Sequence, residues 1–89
     1  MGINAVFDAL SHPVRRKILQ LLRKRPLSAG ELASHFDISK PTLSVHFAKL
    51  KDAGLVSVER QGTSLIYHLN MSILEEALSG FLAFKEQKE

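Results

Sequence analysis

The side chains that could ligate a metal or catalyse a reaction are scattered along this sequence of 89 residues. It contains no cysteine, which excludes disulfides, thiolate metal sites and cysteine nucleophiles. Glu75 and Glu76 are neighbours in sequence, so their carboxylates diverge on a helix instead of converging on a substrate. We therefore expect no enzyme, no cofactor and no dedicated metal site. The four histidines fall on separate predicted elements without a ligand spacing such as i, i+4: His12, His35, His46 and His68.

A second group of polar residues has the spacing of a helix-turn-helix, over residues 28–50. Ser28 and Glu31 stand at capping-box spacing at the start of a short helix of two turns. Asp37-Ile38-Ser39 is a tight turn, and its serine caps a second helix that has a proline in its opening turn. The first helix of such a unit braces the second, which can then enter a DNA major groove about 12 Å wide. The predicted inner face is apolar: Leu32, Ala33, Phe36, Ile38, Leu43, Phe47 and Leu50.

The outward face of that second helix carries side chains suited to DNA. Serine and threonine hydroxyls can bond a phosphate or a base edge, and Val45 and Ala48 can contact thymine methyl groups. The free N–H groups at the helix start can bond a phosphate. An ordinary amphipathic helix with a solvated face is the alternative, but the outward-facing valine and the cationic bias argue against it. The face consists of Lys40, Thr42, Ser44, Val45, Ala48 and Lys49.

Two β-prone runs follow, Leu55–Glu59 and Ser64–Leu69, and they predict a β-hairpin around Gly62. The connection between them is a short basic and polar tip that could reach a minor groove or the adjacent DNA backbone. An arginine in a turn is common and by itself indicates little. The helix-turn-helix directly upstream strengthens the prediction that this tip contacts DNA. Its polar residues are Arg60, Gln61 and Thr63.

Two helices precede this unit and one follows it. Ser11 is the predicted N-cap of the second helix, which Pro26 ends. The last helix is apolar over about half of its circumference, more than the ~100° stripe that one core requires. We therefore expect a homodimer, although a terminal helix packed only on its own domain is the alternative. Its interface combines the first and last helices: Ile3, Phe7, Leu10, Leu74, Leu78, Phe81 and Leu82.

Basic residues are concentrated in the first two-thirds of the chain, which has a formal net charge of +3. This balance favours a polyanionic partner. A solvated helix face explains the densest cluster equally well. Six of the twelve lysines and arginines form that cluster, with no acid among them: Arg15, Arg16, Lys17, Arg23, Lys24 and Arg25. The same helix is predicted to bury Val14, Ile18, Leu21 and Leu22.

Length and composition indicate a single small globular domain over residues 1–89, with 45 % hydrophobic and 24 % charged residues. A chain this short buries little apolar surface alone, so a partner subunit is expected. It has no apolar run near the roughly 20 residues of a membrane span and no signal segment, which predicts a cytoplasmic protein. The predicted fold is mainly α with a small β-hairpin, a winged helix-turn-helix in the order α-α-α-α-β-β-α.

Several motifs carry a family resemblance. Ser44-Val45-His46-Phe47 resembles a recognition-helix motif usually written Ser-x-His-Leu, and residues 11–19 resemble a second-helix opening usually written Asp-Pro-Thr-Arg-Arg. Gly54-Leu55-Val56, Arg60-Gln61-Gly62 and Tyr67-His68-Leu69-Asn70 resemble a strand–wing–strand. Together these motifs are similar to those of the ArsR/SmtB repressors, closest to the SdpR-type autorepressor branch. The resemblance covers nearly the whole chain.

This resemblance implies a homodimeric repressor that binds a palindromic double-stranded DNA operator and blocks transcription, including from its own promoter. Val45 stands where the family often has Arg, His or Gln, which puts one base contact in doubt, and Phe47 replaces the usual leucine. By position the DNA-facing residues are Lys40, Pro41, Thr42, Ser44, Val45 and His46. The polar helix face and the hairpin tip add Lys49, Arg60, Gln61 and Thr63.

Alternative functions stay open at this point. The family is best known for sensing metals, so a metal-responsive repressor with His and carboxylate ligands is one of them. However, the last helix, where the family has its nitrogen-and-oxygen sites, contains Glu75 and Glu76 but no histidine, which favours a metal-independent repressor. A winged-helix protein-interaction module or an RNA binder would keep the fold without specific DNA binding. A small molecule, a peptide, a membrane-bound antirepressor protein or no ligand at all could relieve repression.

Overall fold

The computed structural model describes residues 3–86, which form five helices and a three-stranded antiparallel sheet. The strands lie in the order β1-β3-β2. None of the described helices has the length and apolar character needed to cross a membrane. The predicted winged helix-turn-helix is confirmed, with one additional strand. The elements are α1 (Ile3–Leu10), α2 (Pro13–Lys24), β1 (Leu27–Ser28), α3 (Ala29–Ala33), α4 (Lys40–Asp52), β2 (Val56–Gln61), β3 (Ser64–Leu69) and α5 (Met71–Glu86).

The additional strand β1 ties the start of α3 to the hairpin. Leu27 pairs with Tyr67 and Ser28 pairs with Ile66 on β3. A strand of two residues shows no hydrophobic period, so the sequence pattern does not predict it. Ser28 is also the N-cap of α3, where its hydroxyl accepts the Glu31 N–H and the Glu31 carboxylate accepts the Ser28 N–H. The predicted capping box is therefore confirmed, but α3 has five residues and is shorter than the expected two turns.

The hairpin is tighter than predicted. β2 pairs with β3 from Val56 opposite Leu69 to Gln61 opposite Ser64, which leaves two residues in the turn. Gly62 has a φ of +63°, and no non-glycine residue in the described chain has a positive φ. A positive φ at the first turn position alone is the pattern of a type II′ turn, whose twist matches that of the strands. Arg60 and Gln61 therefore belong to β2 and not to a loop.

The N-cap predicted for α2 is wrong by one residue. His12, not Ser11, has the extended cap conformation, and its Nδ1 accepts the Val14 N–H at 3.1 Å. Pro13 occupies the first helical position, which places the cap directly before it. The Ser11 hydroxyl instead donates to the Asp8 carbonyl at 2.6 Å and so completes the end of α1.

The core lies where α2, α3, α4 and the sheet meet. Phe47 packs on Tyr67 with 4.8 Å between ring centroids, which fixes α4 to β3, and burial raises the pKa of the Tyr67 phenol. Val14 and Leu21 of α2, which were expected inside, are only half-buried, while Leu19 is buried. The largest fully buried side chains are Ile18, Leu32, Leu43, Leu50 and Leu55.

Candidate nucleic-acid interface

The start of α4 is built by local capping and is open to solvent. The Ser39 hydroxyl accepts the Thr42 N–H at 3.4 Å and donates to the Thr42 hydroxyl at 3.0 Å. Pro41 lies in the first turn, as predicted, and Lys40, Pro41 and Thr42 are all exposed. The positive end of this helix, with N–H groups that lack partners within the helix, therefore faces outward.

Most of the predicted DNA-facing side chains are exposed. Thr42, Val45 and Lys49 follow the i, i+3, i+7 spacing of one helix face. Val45 lies between polar residues of this face, and its apolar side chain is 57 % exposed to solvent. Nine of the ten predicted residues are exposed: Lys40, Pro41, Thr42, Ser44, Val45, Lys49, Arg60, Gln61 and Thr63.

His46 is the tenth, and the structure contradicts the expectation that it faces DNA. Its side chain is 8 % exposed, with Nδ1 3.2 Å from Arg15 Nη1 and its ring 4.3 Å from the His12 ring. Burial lowers the pKa of His46, and the nearby His12 and Arg15 lower it further. The residue joins α4 to α2. The sequence motif does not show this because the partners lie more than thirty residues away in the chain.

A groove of 270 Å³ separates α4 from the sheet, and Lys51 lies on it. Lys51 is exposed and was not among the predicted DNA-facing residues. Its i+7 spacing from Ser44, which lines the same groove, is the signal that could have found it. The groove floor is apolar and includes Phe47 and Tyr67.

The hairpin tip lies beside the start of α3. Thr63 and Leu65 line a cleft of 300 Å³ together with Ala29 and Gly30. On the strands behind the tip, His68 Nε2 lies 3.0 Å from Glu59 Oε1, which cross-links β2 and β3 at an exposed position. The paired strands and the two-residue turn thus fix the position of the tip residues.

Most side chains of the basic cluster make hydrogen bonds or ion pairs within the protein. Arg16 Nη1 donates to the Leu10 carbonyl at 2.7 Å, and Lys17 Nζ donates to the His35 carbonyl at 3.2 Å. Arg25 lies 3.7 Å from the Glu31 carboxylate in an exposed ion pair. The pKa of Glu31 is lowered chiefly by the N–H that it accepts from Ser28, with Arg25 contributing. The cluster is therefore not a continuous free basic face, although Arg23 and Lys24 stay exposed.

Arg15 is buried, at 7 % exposure, against its prediction as part of a basic surface. Its Nε donates to the Ala9 carbonyl at 2.7 Å and its Nη2 to the Asp8 carbonyl at 3.1 Å. These carbonyls are at the C-terminal end of α1, where they lack partners within the helix. The guanidinium therefore caps α1 and, through His46, also contacts α4.

The apolar residues expected at the dimer interface are exposed to different extents. Leu78, Phe81 and Leu82 of α5 are 43 %, 52 % and 54 % exposed. Phe7, Leu10 and Leu74 are half-buried in the same subunit, and the side chain of Ile3 lies outside the described residues. The homodimer itself stays a prediction.

Histidines and carboxylates in the described part of the chain do not cluster as a ligand set of three or more. Three of the histidines have other contacts. His12 caps α2, His46 accepts from Arg15, and His68 pairs with Glu59.

Comparison with known proteins gives a consistent result. Residues 10–59 match the family described as helix-turn-helix domain. The chain is 44 % identical over 82 residues to the transcriptional repressor SdpR of Bacillus subtilis, covering 92 % of this chain and 91 % of SdpR. It is 38 % identical over 73 residues to the arsenical resistance operon repressor of Staphylococcus xylosus, covering 82 % and 70 % of the two chains.

Solved structures agree with the sequence matches. An ArsR-like transcriptional regulator from Rhodococcus superposes with a TM-score of 0.86 at 26 % identity, over 96 % of this chain and 80 % of the other. These relatives are transcriptional regulators and not enzymes. The chain belongs to the ArsR/SmtB family of winged helix-turn-helix transcriptional repressors and is close to SdpR.

Proposed function

We propose that this repressor acts as a homodimer on a palindromic operator, including one at its own promoter, and that it needs no metal ion. The observation that carries the proposal is the outward face of α4, on which polar, basic and apolar side chains surround an open helix start. Recognition helices of this kind place their N-terminal residues against base edges in the major groove.

The chemistry of the face divides into two roles. Lys40 and the hairpin residue Arg60 offer positive charge to phosphates, which positions a protein on DNA without reading sequence. Lys49 can do so by exchanging its exposed ion pair with Asp8 for a phosphate. Ser44 can bond a base edge, and Val45 can contact a thymine methyl group. We assign the sequence reading to these two and to Thr42.

The apolar surface that α5 leaves open supports the proposed dimer. Leu78, Phe81 and Leu82 lie on one side of α5 and are 43 %, 52 % and 54 % exposed, although Phe7 of α1 packs on Phe81 with 5.7 Å between ring centroids. A second copy would cover them through an isologous, two-fold interface. Two recognition helices related by that axis fit half-sites one turn of DNA apart, about 34–36 Å, or a multiple of it.

Metal independence is supported by the donors available. No cysteine is present, and the acidic residues of α5, which include Glu75 and Glu76, have no histidine on the same helix. His12 and His46 are engaged in contacts that hold α2 and α4. A soft or borderline metal ion that used either of these two imidazoles would have to displace these contacts.

The test is fluorescence anisotropy on the DNA upstream of the gene and on a scrambled duplex of the same length and composition. Titrations at two salt concentrations, each with zinc and with chelator, separate the parts of the proposal. We expect affinity for the native fragment at least about a thousandfold above the scramble, a steep salt dependence and no response to zinc.

Each part can fail separately. Equal weak binding to both duplexes would remove autorepression and favour an operator elsewhere or an interaction module. Release of the native fragment on adding zinc would overturn metal independence while leaving specific DNA binding in place. A monomer in sedimentation at concentrations that saturate the operator would overturn the dimer.

A further inference from the structure

We propose that His12, Arg15 and His46 form a positioning cluster that holds α4 in its DNA-reading orientation only while both imidazoles are neutral, so that acidification weakens operator binding. The inference rests on the proposed function, because it concerns how the recognition helix is held for DNA.

Arg15 connects three elements through its guanidinium. Nε and Nη2 donate to the carbonyls of Ala9 and Asp8 at the end of α1, and Nη1 lies 3.2 Å from His46 Nδ1 on α4. Because Arg15 belongs to α2, one side chain fixes α4 relative to α1 and α2. The same α1 carries Phe7, which packs on Phe81 at the apolar face of α5. The cluster therefore links the proposed dimer face to the recognition helix.

The hydrogen bonds require a particular protonation state. An arginine can only donate, so His46 Nδ1 must accept and cannot carry a proton. His12 Nδ1 accepts the Val14 N–H, so it too must be unprotonated. Both rings are thus neutral with the proton on Nε2, and a proton added to either Nδ1 removes one bond of the cluster.

The surroundings oppose a positive charge at His46. The residue is 8 % exposed, with the Arg15 guanidinium and the His12 ring as its neighbours from α2 and its cap. The nearest ionised groups along α1 and α4 are Asp8, whose backbone carbonyl accepts from Arg15, and Lys49, three residues after His46, and these two pair with each other at 3.7 Å. The carboxylate that could compensate a charged His46 is therefore engaged by an amine on α4.

These contacts lower the pKa of His46 below 6.5, first by burial and then by the charges of His12 and Arg15. A lowered histidine pKa means that the ordered cluster is fully stabilised above pH 6.5 and loses stability as the pH falls through the lowered value. The position of His46 between Val45 and Phe47 places this loss at the centre of α4.

The sign of the effect distinguishes the cluster from ordinary electrostatics. In ordinary electrostatics, the positive charge that a protein gains as the pH falls strengthens its binding to DNA. The positioning cluster predicts the opposite for the operator, with no such loss on the scrambled duplex, because nonspecific binding needs charge and not an oriented α4.

The experiment measures operator and scramble dissociation constants at pH 7.5 and 5.0 and constant ionic strength. The test variant is His12→Asn/His46→Asn. Asparagine caps helices well, and its side-chain oxygen can accept in place of Nδ1 without titrating. The control is His35→Asn, an exposed histidine outside the cluster. The readout is the ratio of operator affinities at the two pH values, whatever the absolute affinity of each protein.

We expect the operator affinity of the wild-type protein and of His35→Asn to fall about tenfold at pH 5.0, the size expected for the loss of one hydrogen bond to a charged group. The double variant should lose this dependence. Equal ratios in wild type and double variant would overturn the cluster and leave the proposed function intact. Failure of the wild-type protein to prefer the operator at pH 7.5 would overturn the proposed function and this inference with it.

A second measurement does not depend on the variant folding. Nitrogen-15 NMR of the imidazoles in the wild-type protein reports tautomer and titration without DNA. We expect His46 with the proton on Nε2 and a pKa below the ordinary histidine value of 6.5. A proton on Nδ1 at neutral pH, or a His46 pKa at or above 6.5, would overturn the inference.

Discussion

The ring of Phe7 on α1 meets the ring of Phe81 on α5 edge to face, with 5.7 Å between centroids and an interplanar angle of 71°. This contact joins the first and last helices of the chain at the edge of the exposed apolar face of α5. Phe81 nevertheless stays 52 % exposed, so half of its surface is left for another partner. One side of Phe81 therefore packs within its own subunit, and its exposed side lies in the proposed dimer interface.

Phe81→Asp should dissociate the dimer, because a carboxylate at the centre of an apolar interface loses its hydration without a compensating partner. Operator affinity should fall with it, since one recognition helix contacts only one half-site. Sedimentation and anisotropy measure the two effects. Ala83→Asp adds the same charge on the opposite side of α5 and should leave the dimer unchanged. A dimeric Phe81→Asp protein would place the interface elsewhere.

Ser44→Ala should weaken binding at one operator position by about 1–3 kcal/mol if the hydroxyl reads a base. Competition with operators mutated at single positions measures this, because the variant would no longer distinguish the bases at the contacted position. Ser79→Ala, an exposed serine on α5, is the matched control. A uniform loss on all sequences would instead identify a phosphate contact.

Lys40→Ala should weaken binding to every duplex and reduce the slope of log affinity against log salt by about one unit, because one fewer counterion is released. Lys24→Ala removes an equal charge at the far end of α2 and is expected to leave the slope unchanged. Anisotropy titrations at four salt concentrations give both slopes. An unaltered slope for Lys40→Ala would exclude the phosphate contact.

Ser28→Ala should lower the free energy of unfolding by about 1 kcal/mol, because the Glu31 N–H loses its acceptor at the start of α3. Ser11→Ala is the informative comparison, since Ser11 caps no helix N-terminus, and its effect should stay within about 0.5 kcal/mol. Urea unfolding of the two variants measures the difference. A larger loss for Ser11→Ala would contradict the assignment of His12 as the cap of α2.

The capping box also has a pH dependence with a definite sign. The Ser28 N–H holds the pKa of Glu31 below 4.5, so the contribution of the carboxylate is present above that pH and is lost as the pH falls through the lowered value. Glu31→Gln should flatten the wild-type curve of unfolding free energy against pH in this acidic range. A Glu31→Gln curve parallel to that of the wild type would show that the Glu31 carboxylate does not contribute to the pH dependence of the unfolding free energy.

Local chemistry was readable from the sequence. Capping serines such as Ser39, a proline in the first turn of α4 and a glycine in the hairpin act within a few residues of their own position. The order of the elements and the polar face of α4 follow from such signals and from helical periodicity, which is why the winged helix-turn-helix could be predicted.

Residues whose partners are distant in the chain have roles that local sequence patterns do not reveal. Arg15 and His46 look like a surface cation and a DNA-facing imidazole in sequence, yet they contact each other across 31 positions and are both buried. β1 exists only because β3 offers it two residues to pair with. Arginine and histidine have polar side chains in any sequence. Whether such a side chain faces water, DNA or another side chain depends on which helices pack together, and local patterns do not carry that information.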